Sequence, residues 1–289
     1  MYRLDHGDLA VELCAPGEYY RGTRFDRAGV CRSITKAGHV IADEWFACYD
    51  PLKHDAVCGM SEEFYGTVGF DSAPVGGTFL KIGVGLLRRP DDAPYDWFRL
   101  YEIADPGEWS VEVSPTSAVY VHRLAGYYAY TKKVELTSPC AIVVSHRLQW
   151  LAPEPLEIFS YCHNFFTFGG VPVGPSREID FPFTPCGHWR SAYDNVGLVE
   201  RGIRFCGPVD PACSVYMGDL ASTDGRTPYS FRIAEQSSGE SVSVRGDVPL
   251  HHIVFWSNPR VACVEPYVQL RLQPGEMAEW SFTADIDLR

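Results

Sequence analysis

The sequence predicts an all-β chain folded as a large antiparallel β-sandwich, and three observations carry that prediction. Apolar residues recur at every second position in one segment after another, the period of a half-buried strand. Turn-forming residues separate those segments at short intervals. No stretch of about twelve residues shows the 3.6-residue apolar period of an amphipathic helix. The 289 residues include 26 glycines and 21 prolines, above the usual combined share of about 12%. Frequent turns imply many short strands.

Taken in chain order, residues 38–110 are the least regular part, rich in Gly, Pro, Asp and aromatics. They are expected as loops over one sheet, and loops of that length in a compact protein usually carry function. Residues 127–137 are a strand candidate. Ala141-Ile142-Val143-Val144 is an apolar run expected to be buried on both faces. Tyr229-Ser230-Phe231-Arg232-Ile233 alternates cleanly, residues 241–245 follow as a further candidate, and Ile253-Val254-Phe255-Trp256 is a second doubly buried run. Residues 267–272 alternate, and so does the stretch from Trp280 to Leu288, where every second residue is apolar. Pro106-Gly107, Gly169-Gly170, Gly174-Pro175, Asp224-Gly225 and Pro274-Gly275 supply turns. Without a repeat or a low-complexity linker, residues 1–289 are expected to form one β-sandwich domain.

The formal charge of −12 argues against a nucleic-acid partner, which needs clustered Lys and Arg to displace counterions. It equally disfavours an anionic membrane surface. No run approaches the ~18 apolar residues of a membrane span, and the N-terminus has no apolar signal region. A cytoplasmic location is expected, with the ten scattered cysteines reduced. They form no Cys-x-x-Cys pair, and His251-His252 has no further ligand at metal spacing, so neither metal nor organic cofactor is expected. A neutral small molecule is easy to accommodate, an anionic one needs a local basic pocket working against the overall field, and a monomer and a homodimer are both compatible with the sequence.

Two stretches stand out chemically. Tyr161-Cys162-His163-Asn164-Phe165-Phe166-Thr167-Phe168-Gly169-Gly170 sets a histidine before paired aromatics and a glycine turn. Val261-Ala262-Cys263-Val264-Glu265-Pro266 sets a carboxylate after an apolar run, with the Leu272-Gln273-Pro274-Gly275-Glu276 turn and a long closing strand behind it. Pro266 cannot donate a ladder hydrogen bond, so pairing is expected to stop there, leaving Glu265 at a strand end. Taken in order, these stretches resemble the His-x-Tyr-Phe-Asn-Leu and apolar-Cys-apolar-Glu-Pro motifs of the galactose mutarotase-like, or aldose 1-epimerase, superfamily. The stretch from Arg21 to Gly29, with Arg24 inside it, is similar to an early strand of that family. In length the chain is nearest to glucose-6-phosphate 1-epimerase-like members.

The resemblance implies a mutarotase: a protein that binds a sugar and interconverts its anomers by acid–base ring opening, with Glu265 as base and His163 as acid. It departs from the family by lacking the Asn-Arg-Ile and Leu-His-Gly-Gly segments, so the second histidine and the substrate arginine have no counterpart by motif. Lys81, Arg24, Glu63 and His54 are the polar candidates to replace them, and Phe166 is a candidate sugar platform. Plainer roles compete with each: His163 as a core histidine, Glu265 as a surface carboxylate, the phenylalanines as core, Glu62-Glu63 as a solvated loop pair. The rival functions are a carbohydrate-binding sandwich without catalysis and, as a weaker rival, a sugar lyase or isomerase built on a similar sandwich.

Overall fold

The alternating pattern folds into 23 strands and no helix in the computed structural model, which describes residues 1–289. Two large antiparallel sheets organise them. The ten-stranded sheet runs from Val196–Val199 at one edge to Glu108–Val113 at the other, with Met277–Leu288 and Ala141–Trp150 near its middle. The six-stranded sheet runs in the order Pro185–Trp189, Val215–Ser222, His252–Ser257, Ala262–Leu272, Leu156–Phe165, Gly59–Tyr65. A core of 57 buried residues draws on both sheets, from Val144, Leu148 and Phe282 on one to Ile158, Cys162 and Val264 on the other.

Because side chains alternate across a strand, this core takes only one face of the six-stranded sheet. On Leu156–Phe165 the residues Leu156, Ile158 and Cys162 enter it. Phe159, Tyr161, His163 and Phe165 therefore point the other way, and that outward face holds the site.

Two expectations need correction. Residues 38–110 are not loops throughout, for they contain His39–Ala42, Gly59–Tyr65, Thr78–Lys81, Gly85–Arg88 and Ile103–Asp105. Gly59–Tyr65 is disguised because Glu62 and Glu63 are both buried, one on each face, and each is neutralised by a partner. Nor does Pro266 end a strand: Ala262–Leu272 runs through it. Toward Leu156–Phe165 the ladder does stop at Tyr161 opposite Tyr267, next to the missing amide. Toward His252–Ser257 it continues, with Pro266 opposite Ile253. Asn164 covers the one-sided gap, its buried Nδ2 donating to Val264 O at 2.8 Å and to Cys162 O at 3.2 Å.

Candidate active site

The outward face of four adjoining strands forms a grid whose rows follow from register. Tyr161 stands opposite Glu63 on one side and Tyr267 on the other, and Tyr267 stands opposite His252. The next residues on that face are His163 and Glu265, two positions on along each strand, with Ser61 and Val254 flanking them. A cross-strand pair on one face stands about 4.5–5.5 Å apart at Cβ. Register alone therefore brings two side chains 102 residues apart in sequence into contact, with His163 Nε2 3.0 Å from Glu265 Oε1. The row beneath is a stack of Tyr161 and Tyr267, centroids 4.4 Å apart and rings 6° from parallel.

Both members of the pair are buried. Burial pushes the Glu265 carboxyl up to about 8, with Arg24 opposing the rise and Glu63 adding to it. Burial, reinforced by Arg24, holds His163 well below the ordinary histidine range. Near neutral pH the pair thus keeps one proton between carboxylate and imidazole and carries no net charge. His163 Nδ1 is shut off from solvent and has no hydrogen-bond partner. The ring is held by packing, parallel to Phe165 at 3.9 Å, and Phe165 is in turn stacked on Trp45 at 5.2 Å.

Arg24 projects beside the pair from the segment joining Leu9–Leu13 to Cys31–Lys36. Its Nε donates to Glu63 Oε2 at 2.8 Å and its Nη2 to the Tyr161 hydroxyl at 3.0 Å, while that hydroxyl donates to Glu63 Oε2 at 2.6 Å. Lys81 Nζ closes the far side, donating to Glu63 Oε1 at 2.9 Å, Phe64 O at 2.7 Å and Gly66 O at 3.1 Å. Burial alone would raise Glu63, but Lys81 and Arg24 overcome it and hold the carboxyl below its usual range. A guanidinium has five N–H donors, so Arg24 keeps some to spare for a ligand. The cleft encloses about 650 Å³ and is walled largely by aromatic rings, among them Trp45, Tyr65, Phe98, Tyr216 and Trp256.

Of the residues singled out in the sequence, His163, Glu265, Arg24 and His54 line this one cleft. Glu63 and Lys81 do not; both are fully buried behind Arg24 and act as its brace. Phe166 does not either. It lies one residue beyond Phe165, so its side chain turns to the opposite face and joins the main core. The aromatic contact falls to Phe165 instead, with Phe159 and Tyr161, and counting by twos from His163 would have found all three. Trp45, Trp97 and Phe98 come from loops between strands, where no period marks them. No group of three His, Cys, Asp or Glu residues is placed to hold a metal ion.

By sequence, no family model and no curated protein matches the chain. By structure it is similar to a putative aldose 1-epimerase from Escherichia coli K12, with a TM-score of 0.60 and 15% identity, covering 100% of this chain and 99% of that one. A GalM/aldose epimerase homologue from C. elegans aligns with a TM-score of 0.62 at 12% identity, over 99% of this chain and 98% of the other. A galactose mutarotase related enzyme from Lactobacillus acidophilus aligns at 0.60 and 10%, over 99% and 97%. The fold is that of galactose mutarotase-like proteins, an all-β sandwich.

Proposed function

We propose that the protein is a mutarotase that interconverts the anomers of a free aldose by opening and reclosing its ring. The observation that carries this reading is the His163–Glu265 pair, 3.0 Å apart and buried at the floor of an aromatic cleft. Anomerisation removes the proton of the C1 hydroxyl and delivers a proton to the ring oxygen. The bond between C1 and that oxygen breaks, giving an open-chain aldehyde and a new hydroxyl. Rotation about C1–C2 and the reverse steps then close the ring on the other face. The chemistry needs one acid and one base next to adjacent oxygens, and a pair sharing one proton supplies both.

Burial modifies the roles expected from sequence. It favours the proton on Glu265 and the neutral form of His163, so the resting pair presents the carboxyl as acid and the imidazole as base. Moving the proton between them restores Glu265 as base and His163 as acid. As the C1 hydroxyl and ring oxygen enter, they replace the direct contact and bridge the two groups. Arg24, fixed by Glu63 and Tyr161, donates to a ring hydroxyl and takes the part of the family arginine that the motifs lack. The titrations of the two groups lie on either side of neutrality, the condition under which an acid and a base work together.

The test is the interconversion of freshly dissolved single anomers, followed by polarimetry or proton NMR. Glu265→Gln removes the titrating group but not the shape. It is expected to slow interconversion by roughly 10²–10⁴-fold while sugar affinity stays within a few-fold. A fully active Glu265→Gln protein would end the assignment. The rival reading, a binding sandwich without catalysis, draws on the missing hydrogen bond behind His163 Nδ1. It takes over if the wild type binds sugars and interconverts none.

A further inference from the structure

His163 and Glu265 face each other across a seam in the sheet. Each is laddered to its outer neighbour in this row, His163 opposite Ser61 and Glu265 opposite Val254. Between their own strands, Leu156–Phe165 and Ala262–Leu272, the register ends at Tyr161 opposite Tyr267. One residue accounts for the break. Val261 and Tyr267 turn their carbonyls toward His252–Ser257, where they accept from the Asn258 and His251 amides. Successive peptide groups point to opposite sides of a strand, so Val264 and Pro266 turn theirs toward Leu156–Phe165. Continuing the register sets Pro266 opposite Cys162. An amide there would donate to Cys162 O, and proline has none.

Asn164 spans the seam from the face behind the cleft. Its side chain is fully buried, and Nδ2 donates to Val264 O at 2.8 Å and to Cys162 O at 3.2 Å. These two carbonyls belong to the peptide groups that lead into Glu265 and His163. A single amide thus ties the backbone just before one member of the pair to the backbone just before the other. Its orientation is fixed. Oδ1 accepts from the Cys162 thiol at 3.4 Å, and a flipped amide would set its oxygen against two carbonyl oxygens. The pair cannot hold its own spacing, since His163 and Glu265 bond only to each other and His163 Nδ1 has no partner.

We propose that Asn164 is a positioning residue: by standing in for the amide that Pro266 lacks, it sets the separation of His163 and Glu265. Proton transfer works only over hydrogen-bond distances, and a misplacement of about 1 Å can cost on the order of 10²-fold in rate. A seam without its ladder would leave that distance free to vary. Asn164 touches neither the cleft nor a ligand in it, and acts only through the two strands that it joins. Its effect on turnover rests on the acid–base reading above. The geometry that it maintains can be measured without a sugar.

The test has two readouts: NMR of the His163 ring nitrogens in sugar-free protein, and the kinetics of glucose and galactose anomer interconversion per folded molecule. Asn164→Ala removes both donors. Its kcat is expected to fall on the order of 10–10²-fold, with KM within a few-fold because Arg24 and the aromatic walls are untouched. The His163 resonances should move as the contact with Glu265 loosens. Asn164→Ser keeps one donor and leaves a smaller void, so it serves where Asn164→Ala does not fold, and its kcat should lie between the two. Asn164→Ala/Pro266→Ala restores a backbone amide facing Cys162 O and should recover most of the lost kcat. A folded Asn164→Ala or Asn164→Ser protein with wild-type kcat and unmoved His163 resonances would overturn the proposal. So would a double variant no faster than Asn164→Ala. Moved resonances in a protein whose wild type interconverts neither sugar would keep the positioning role and remove the catalytic reading.

Discussion

The six-stranded sheet buries charged groups on both faces, and the Glu62 cluster and the His163–Glu265 pair among them are built to different standards. On the core face, Lys132 Nζ lies 2.6 Å from Glu62 Oε2, His146 Nε2 lies 2.9 Å from Glu62 Oε1, and Tyr130 donates to Asp26 Oδ2 at 3.0 Å. The Ala28 amide holds the other Asp26 oxygen at 2.8 Å, and His146 Nδ1 reaches Trp280 O at 3.2 Å. On the cleft face, His163 and Glu265 have each other, and His163 Nδ1 has nothing. The electrostatic consequence is opposite. Burial alone would raise Glu62, but His146 and Lys132 overcome it and hold its carboxyl at about 2, whereas burial takes Glu265 to about 8. Two glutamates of equal burial thus keep opposite protonation states at neutral pH. A well-partnered buried charge is locked, and a poorly partnered one stays free to trade its proton. The second kind marks the candidate site.

On this contrast, removing a member of the core-face cluster should hurt stability most. Glu62→Ala leaves Lys132 buried with only Asp26, 3.8 Å away, and an uncompensated buried charge costs about 3–5 kcal/mol. Chemical denaturation should show that loss. A Glu62→Ala protein as stable as the wild type would mean that the cluster is hydrated rather than dry.

The contrast also explains what can be read from sequence. Strands near the C-terminus are legible because one face is apolar and the other polar, as from Trp280 to Leu288. Gly59–Tyr65 is not, because both faces carry buried carboxylates whose partners come from distant segments: Arg24 and Lys81 on one side, Lys132 and His146 on the other. His163 and Glu265 are legible through motif resemblance, but their contact depends on register between strands a hundred residues apart, which no local pattern specifies. Lys81 and Glu63 stand out for their chemistry, and only three-dimensional placement shows them behind Arg24 rather than in the cleft. Phe166 matches the family motif by position, yet alternation from His163 puts it on the face away from the histidine and leaves Phe165 on the same one.

The pH dependence of turnover sharpens the comparison at the cleft. In the mechanism proposed above, the active form is the pair holding one proton. Above about 8, Glu265 loses it. At low pH His163 gains a second, at a pH below the ordinary histidine value because burial depresses it. The rate of interconversion should therefore follow a bell with an alkaline limb near 8 and an acid limb below the usual histidine range, falling about tenfold per pH unit on each side. A plateau that continues well above pH 9 would show that Glu265 ionises as an ordinary carboxylate and that the cleft is wetter than its geometry indicates.

The smallest effect is the most specific, because substituting the proposed catalytic glutamate should stabilise the fold. In the unfolded chain a glutamate ionises near ~4.3, while in the folded protein Glu265 keeps its proton up to about 8. Between those values the folded state binds more protons than the unfolded one. Stability therefore declines as pH rises through that window and levels off above it. Glutamine at 265 fills the same space without ionising, so the variant escapes the decline. Glu265→Gln and wild type should melt together near pH 4.5 and separate steadily toward pH 8. There the variant should be ahead by at least ~1.4 kcal/mol, the free energy of a tenfold change in proton affinity. For a chain of this size that is a few degrees in Tm, at about 2–4 °C per kcal/mol. Glu62→Gln should do the reverse, losing stability at neutral pH, where the wild-type carboxylate is charged and paired with Lys132 and His146. If both variants lost stability alike at pH 8, Glu265 would be a structural partner of the same kind as Glu62. The contrast between Glu62 and Glu265, and the catalytic reading built on it, would then fall.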